Sequence, residues 1–317
     1  MTEEGTVVET LEARVERRNE RRDFFRNAGL AVAALGAGAG LLASARPAGA
    51  QTAPTDADVF NFLLNLEYLE AQYYAFAVNG AGLPAAQLTG TGTQGAATGG
   101  RKVTFADPLV AQYAREIAAD EAAHVEFLRL ALGASAVAQP AIDIGTAAGG
   151  AFSTLARSAG LIGAGQSFDP YASDENFLLG AFILEDVSVT AYRGATALVA
   201  NKALLESIGG ILSVEAHHAA MVRATLAAKG VATPALVDAT EDLSGARDAL
   251  DGASDSDQGV RPVGGASNVA PLDANGLAFA RTPAQVLNIA YLDRTAVAQG
   301  GFFPAGVNGT IKTSAAN

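Results

Sequence analysis

The 317-residue chain contains no cysteine. That absence removes disulfide stapling and any thiolate metal site, so an iron–sulfur or rubredoxin-type centre, with the electron relay it would serve, is excluded. It also leaves a chain that needs no disulfides in an oxidising compartment. Basic residues are in deficit, 21 Lys and Arg against 33 Asp and Glu, for a formal net charge of −12. The first fifty residues carry seven side chains of each sign, so the whole excess lies beyond them. Such an acidic surface argues against nucleic acid or anionic membrane as partner. Histidine is scarce as well, with three in the chain. What is plentiful is apolar residues, half of the total, and the helical part of roughly 180 residues is long enough for one substantial core.

Two of the three histidines fall in Glu-x-x-His pairs, Glu121/His124 and Glu215/His218, each inside an Ala-rich helical stretch. On an α-helix, residues i and i+3 project from one face about one turn apart, so one metal ion can be gripped by both. Two further apolar stretches each carry a lone acid, Glu67 and Glu185. A four-helix bundle that brings these together supplies four carboxylates and two imidazoles, the donor inventory of a carboxylate-bridged dimetal site. Four negative charges balance two divalent cations, and this mixture suits iron or manganese better than thiophilic metals. Without metal or protons, such buried carboxylates would cost several kcal/mol each.

The spacing goes beyond the two pairs. Tyr74 follows Glu67 by seven residues and Tyr192 follows Glu185 by seven, while Arg129 and Arg223 each follow their Glu by eight. Seven residues are two turns, which sets each Tyr over its Glu about 10 Å along the axis. The chain therefore reads as two related helix pairs. Tyr74 and Tyr192 are candidates either for core packing with a bonded hydroxyl or for a redox or hydrogen-bonding role beside the metals. Glu70 lies one turn beyond Glu67 and is the alternative to it as ligand, or a shuttle carboxylate. His217 points about 100° from His218 and reads as peripheral. Asp186 is offset from Glu185, Glu116, Asp120 and Glu126 read as a solvated helix face, and Arg129 and Arg223 as makers of structural salt bridges.

These residues resemble the ferritin-like superfamily, in particular exported ferritin-like domain proteins related to the plant desiccation-related proteins. The resemblance covers about residues 56 to 230. Asn65-Leu66-Glu67 with Tyr74 is similar to the first metal-binding helix of ferritins, Glu121-Ala122-Ala123-His124 to the second, Glu185 with Tyr192 to the third, and Glu215-Ala216-His217-His218 to the fourth. The resemblance implies an all-α, ferritin-like four-helix bundle with a long crossover from the second to the third helix. It implies Glu67, Glu121, His124, Glu185, Glu215 and His218 as ligands to two iron or manganese ions, with Glu121 and Glu215 bridging. The implied partners are metal ions and a small oxidant, peroxide or oxygen, and a homo-oligomer is compatible with it. Peroxidase, catalase and ferroxidase chemistry share these ligands. A non-catalytic stress or desiccation-related protein with a structural or vestigial metal site is the alternative.

At the N-terminus, Asn19-Glu20-Arg21-Arg22-Asp23-Phe24-Phe25-Arg26 resembles a twin-arginine export signal. The eighteen residues Ala28–Ala45 behind it are uncharged and rich in Ala, Gly and Leu, and Ala48-Gly49-Ala50 offers a cleavage site. The stretch is weakly apolar for a membrane anchor, so the expectation is a signal peptide over 1–50, no stable membrane insertion after its removal, and a periplasmic or secreted product.

The expected organisation is a bundle over 51–232 and a C-terminal extension over 233–317. The first helix runs from Asp56 to Asn79 with Thr55 or Asp56 as N-cap, then a Gly/Thr-rich loop spans Gly80–Thr104. The second starts at Asp107-Pro108 and ends at Gly133. A crossover over Ala134–Ala172, with a short helix near Ser153–Ala159, leads to a third helix from Ser173-Asp174 to about Ala200. The fourth spans Lys202–Lys229 with Gly230 as C-cap. In the extension, Thr240–Gly276 reads as an extended or partly disordered arm, and Thr282-Pro283 starts a helix to about Arg294. The segment Gly300–Gly309 is expected to fold back on the bundle, with Phe302 and Phe303 docking a neighbouring subunit as the alternative.

Overall fold

The computed structural model describes residues 53–317. The proposed export signal and its cleavage site lie outside the described residues. Among the described residues no helix is long and apolar enough to cross a membrane.

Four long helices build the bundle: α1 (Asp56–Asn79), α2 (Pro108–Leu132), α4 (Asp174–Ala195) and α5 (Lys202–Gly230), with a short α3 (Ala151–Ser158) in the crossover. Each long helix starts on a side chain that takes up a free backbone N–H. Thr55 and Asp58 form a capping box on α1. Asp107 caps α2 ahead of Pro108, Ser173 caps α4, and Asn201 caps α5.

The helices differ in how they are buried. Every residue from Val59 to Ala75 of α1 is buried, as is the run Phe177–Ser188 of α4. A helix covered all round needs layers on both sides. One side is the pair α2 and α5, which each keep an exposed face. The other is supplied by the crossover and the C-terminal extension. In the crossover, β2 (Ile142–Asp143) pairs in parallel with β1 (Ala97–Thr98) of the loop after α1.

The extension is more ordered than its composition suggests. In place of an extended arm from Thr240, α6 covers Ala235–Asp251. Its Asp and Ser residues belong to a helix whose Leu236, Ala239, Thr240, Leu243 and Arg247 recur every three or four positions and are buried. α7 (Pro283–Tyr291) begins with the Thr282/Gln285 capping box. It stops short of Arg294 because Leu292 takes a left-handed conformation, with φ of 56°.

Two other boundaries differ from expectation. α4 ends at Ala195 rather than near Ala200. At Gly194 a Cβ would sit 1.9 Å from the Arg281 carbonyl oxygen, so a glycine there lets the extension lie directly on the helix. Gly230 does not cap α5 but is its last helical residue. A Cβ there would meet Val237 at 2.5 Å, so the residue is small to admit the start of α6.

Three buried arginines fasten the extension. Arg247 donates to the carbonyls of Phe182 and Ile183 and to Asp186 and Asp257. Arg223 donates to Asp186 at 2.7 Å and to the carbonyls of Gln258, Gly259, Asn268 and Val269. Arg281 pairs with Asp251 at 2.5 Å and Asp257 at 3.2 Å and reaches Thr190. Buried guanidinium groups are tolerated where carboxylates and carbonyls meet their donors in this way. At the far end of the chain, Asn308 exchanges hydrogen bonds with Asn65 and Thr93. Phe302 packs edge-on against Phe152. Phe302 and Phe303 are 2% and 0% exposed, so neither ring is free to dock a neighbouring subunit.

Candidate metal centre

The four long helices bring Glu67, Glu121, His124, Glu185, Glu215 and His218 together, and all six are buried. His124 Nδ1 lies 3.0 Å from Glu215, 3.3 Å from Glu67 and 3.8 Å from Glu121. His218 Nδ1 lies 3.0 Å from Glu121 and 3.7 Å from Glu185. The atoms fall into two groups, Glu67/Glu121/His124/Glu215 and Glu121/Glu185/Glu215/His218, each spanning no more than 4.8 Å. Glu121 and Glu215 belong to both. Either group could hold a metal ion.

The tyrosines cross over. Tyr74 of α1 donates to Glu185 of α4 at 2.5 Å, and Tyr192 of α4 donates to Glu67 of α1. Each bond joins the earlier position of one helix to the later position of the other, so α1 and α4 run antiparallel. Two turns carry each Tyr away from its own Glu and alongside the opposite one. His124 with Glu215 and His218 with Glu121 repeat that relation between α2 and α5. The centre thus has approximate twofold symmetry, which is the structural content of the matched intervals.

The donor set fits cations. One oxygen each of Glu67 and Glu185 is taken by a tyrosine. The other oxygen of each and both oxygens of Glu121 and Glu215 meet no donor beyond the Nδ1 atoms of the two histidines that face them. Buried acceptors without donors are costly. Converging from four helices, they make a donor set suited to positive charge.

Charge in the metal-free centre follows from burial and proximity. Burial pushes the Glu67 carboxyl up to about 8 against the pull of His124. Burial likewise raises Glu185 well above the usual carboxylate range. Burial acts the same way on Glu121, but the His124 and His218 imidazoles outweigh it and hold that carboxyl low. Burial disfavours charge on the histidines, yet the surrounding carboxylates raise both well above the ordinary imidazole value. Burial keeps Tyr74 and Tyr192 neutral, and so able to donate.

The neighbours divide. Glu70 is 3% exposed with neither oxygen hydrogen-bonded; it lies outside both donor groups. His217 is exposed, as are Glu116 and Glu126. Asp120 is not simply part of a solvated face, since its carboxylate lies 3.4 Å from Nε2 of His218. The i, i+4 spacing of Asp120 and His124 hides this, because the contact crosses to another helix. Arg223 makes its expected salt bridge, with Asp186. Arg129 instead donates to the Tyr68 hydroxyl at 2.6 Å and to the Thr89 carbonyl. Tyr68 and Asp186 each follow a lone Glu, so the two Arg intervals mark one equivalent contact made to different partners.

The arrangement of four long helices around one buried Glu/His cluster defines a fold class, and the sequence comparisons agree on that class. The chain belongs to the ferritin-like domain family, whose match covers residues 55–228, more than half of the sequence. It is similar to the desiccation-related protein PCC13-62 of Craterostigma plantagineum, 29% identical over 74% of this chain and 76% of that protein. It is also similar to the ferritin-like catalase Nec2 of Nesocodon mauritianus, 26% identical over 81% of this chain and 84% of that protein. No solved structure matches the chain.

Proposed function

We propose that this chain is a dimetal-carboxylate protein that disproportionates hydrogen peroxide to water and oxygen. The observation that carries the reading is the pair of interlocking donor groups that share Glu121 and Glu215. Glu67 and His124 would hold one ion and Glu185 and His218 the other, with Glu121 and Glu215 within reach of both. Carboxylate and imidazole donors without thiolate favour iron or manganese. Two such ions, when bound, would supply the two-electron redox chemistry that peroxide disproportionation needs.

The chain's own groups do the rest. Tyr74 and Tyr192 occupy one oxygen of Glu185 and Glu67, which turns the other oxygen of each to the centre. Burial and the neighbouring carboxylates raise Glu70 well above the usual carboxylate range, so it holds a proton beside the site. The packed bundle excludes bulk water. Similarity to a relative named as a ferritin-like catalase over 81% of this chain supports the peroxide reading over the ferroxidase one. Export in the folded state through the twin-arginine motif would let the ions be inserted beforehand.

Metal analysis of the full chain purified without chelators, with oxygen evolution from peroxide, tests this. About two iron or manganese ions per chain and oxygen release are expected; well under one ion per chain ends the reading. The relative named as a desiccation-related protein favours a second, non-catalytic reading. Under it, Glu121→Ala with Glu215→Ala leaves oligomerisation and any cellular phenotype unchanged.

A further inference from the structure

A cavity of about 30 Å³ lies between α1 and α4 against the extension. The side chains that line it are buried, and most are aliphatic. Its two polar members are Glu70 and Ser188. These occupy equivalent positions, three residues beyond Glu67 and Glu185, so the cavity spans the approximate twofold axis of the centre. Val286, Ala290 and Phe302 of the extension close it from the other side.

Neither oxygen of Glu70 nor the Ser188 hydroxyl has a hydrogen-bond partner. Leaving such groups buried and unpaired is costly, so a ligand that pairs both is stabilised here. A carboxyl accepts through its carbonyl oxygen whether or not it carries a proton, and a hydroxyl donates and accepts. The complement is a neutral molecule with a donor and an acceptor at its two ends. Apolar walls exclude a permanent ion. One water needs roughly 10–15 Å³ of such space, so the cavity takes two oxygen-sized atoms, and a branched or aromatic hydroperoxide is too large.

We propose that this cavity, which none of the six donors lines, is a holding site for substrate beside the centre and takes one hydrogen peroxide molecule between Glu70 and Ser188, with the C-terminal extension as its outer wall. The proposal rests on the peroxide reading above for the identity of the molecule. It gives the extension a role beyond packing, which is to restrict the centre to the smallest peroxide.

Crystals of the full chain loaded with redox-inert zinc and soaked in hydrogen peroxide test the pocket without turnover. The expected result is two-atom density bridging Glu70 and Ser188 in the wild type and its loss in Ala290→Leu, whose added methyl groups fill the space. No density there, or density unchanged in Ala290→Leu, overturns the proposal. In the iron- or manganese-loaded protein, Ser188→Ala raises KM for peroxide about fivefold, the worth of one neutral hydrogen bond, with metal content unchanged. Phe302→Ala admits cumene hydroperoxide, which the wild type refuses. An unaltered KM in Ser188→Ala also counts against the pocket. Bridging density in a loaded protein that evolves no oxygen sinks the activity and leaves the pocket standing.

Discussion

The two halves of the centre present the same donor residues in different surroundings. Glu67, Tyr74 and Glu121/His124 match Glu185, Tyr192 and Glu215/His218 position by position, yet the residues around them have diverged. After Glu67 comes Tyr68, held by Arg129 under the loop that follows α1. After Glu185 comes Asp186, held by Arg223 and Arg247 under the extension. Three residues on, Glu70 faces Ser188 across the cavity. One His has an outer carboxylate and the other does not. The donors are constrained by the ions they would share, whereas each neighbour is constrained by whatever covers its side.

The arginines give the largest expected contrast. Arg223 is fully buried and satisfies one carboxylate and four carbonyls. Its replacement by Ala leaves Asp186 buried with Arg247 alone, an expected loss of about 3–5 kcal/mol. Arg129 is half-buried and bonds a neutral hydroxyl and a loop carbonyl, so Arg129→Ala costs about 1–1.5 kcal/mol. Urea unfolding of both variants measures the difference, and equal losses would break the comparison.

Acidity comes next. Glu67 has a folded pKa of about 8 against an ordinary 4.5, so the folded metal-free protein keeps a proton that the unfolded chain gives up. Its contribution to stability is full below pH 4.5 and is lost as pH rises towards 8. The raised histidines act in the same direction above their ordinary value of 6.5. Thermal melts of the metal-free protein should therefore fall in temperature across this range, and bound ions should remove the fall, since metal displaces those protons. A melting temperature that climbs towards pH 8 without metal would contradict the charge assignment.

How legible this was follows from the kind of signal each feature left. Helix starts at Thr55, Asp107-Pro108 and Ser173 are local chemistry and could be read directly. The repeated Glu-x-x-His pairs, with the Tyr and Arg intervals, signalled two related halves, because symmetry in space leaves equal spacings in a chain. The crossing of Tyr74 to Glu185 left no such mark, since an interval within one helix does not say which helix lies opposite. α6 is hard to see in the sequence because its Asp and Ser suggest solvent, while the burial of Arg247 depends on Asp186 and Asp257, neither of which lies in that helix. The periodic Leu236, Ala239, Leu243 and Arg247 could have revealed it.

The tyrosine crossing separates the halves in a testable way. Tyr74→Phe removes the donor to Glu185, and Tyr192→Phe the donor to Glu67. A lost hydrogen bond to a charged group is worth about 1.5–3 kcal/mol, on the order of 10–100-fold in affinity. Each change should deplete the ion on the half opposite its own helix. Anomalous diffraction at the metal edge reads the two occupancies separately, and loss on the same-helix half would reverse the assignment.

Asp120 gives the finest distinction. Its carboxylate faces Nε2 of His218 at 3.4 Å and is partly exposed. With Nδ1 turned to the centre, the Nε2–H donates outward to Asp120, which fixes the tautomer and makes Nδ1 a better donor to metal. At the equivalent position of α5 stands Val214, which can offer His124 no such acceptor. Removing an outer partner of a metal-bound histidine costs about 10–100-fold in affinity, and the long, partly solvated contact puts Asp120→Asn near the bottom of that range. The loss should fall on the His218 ion and spare the His124 ion. Val214→Asp should narrow the gap from the other side. Stepwise metal titration of the three proteins checks both expectations, and two binding steps that stay equally spaced throughout would mean that the halves differ in their surroundings but not in their grip on metal.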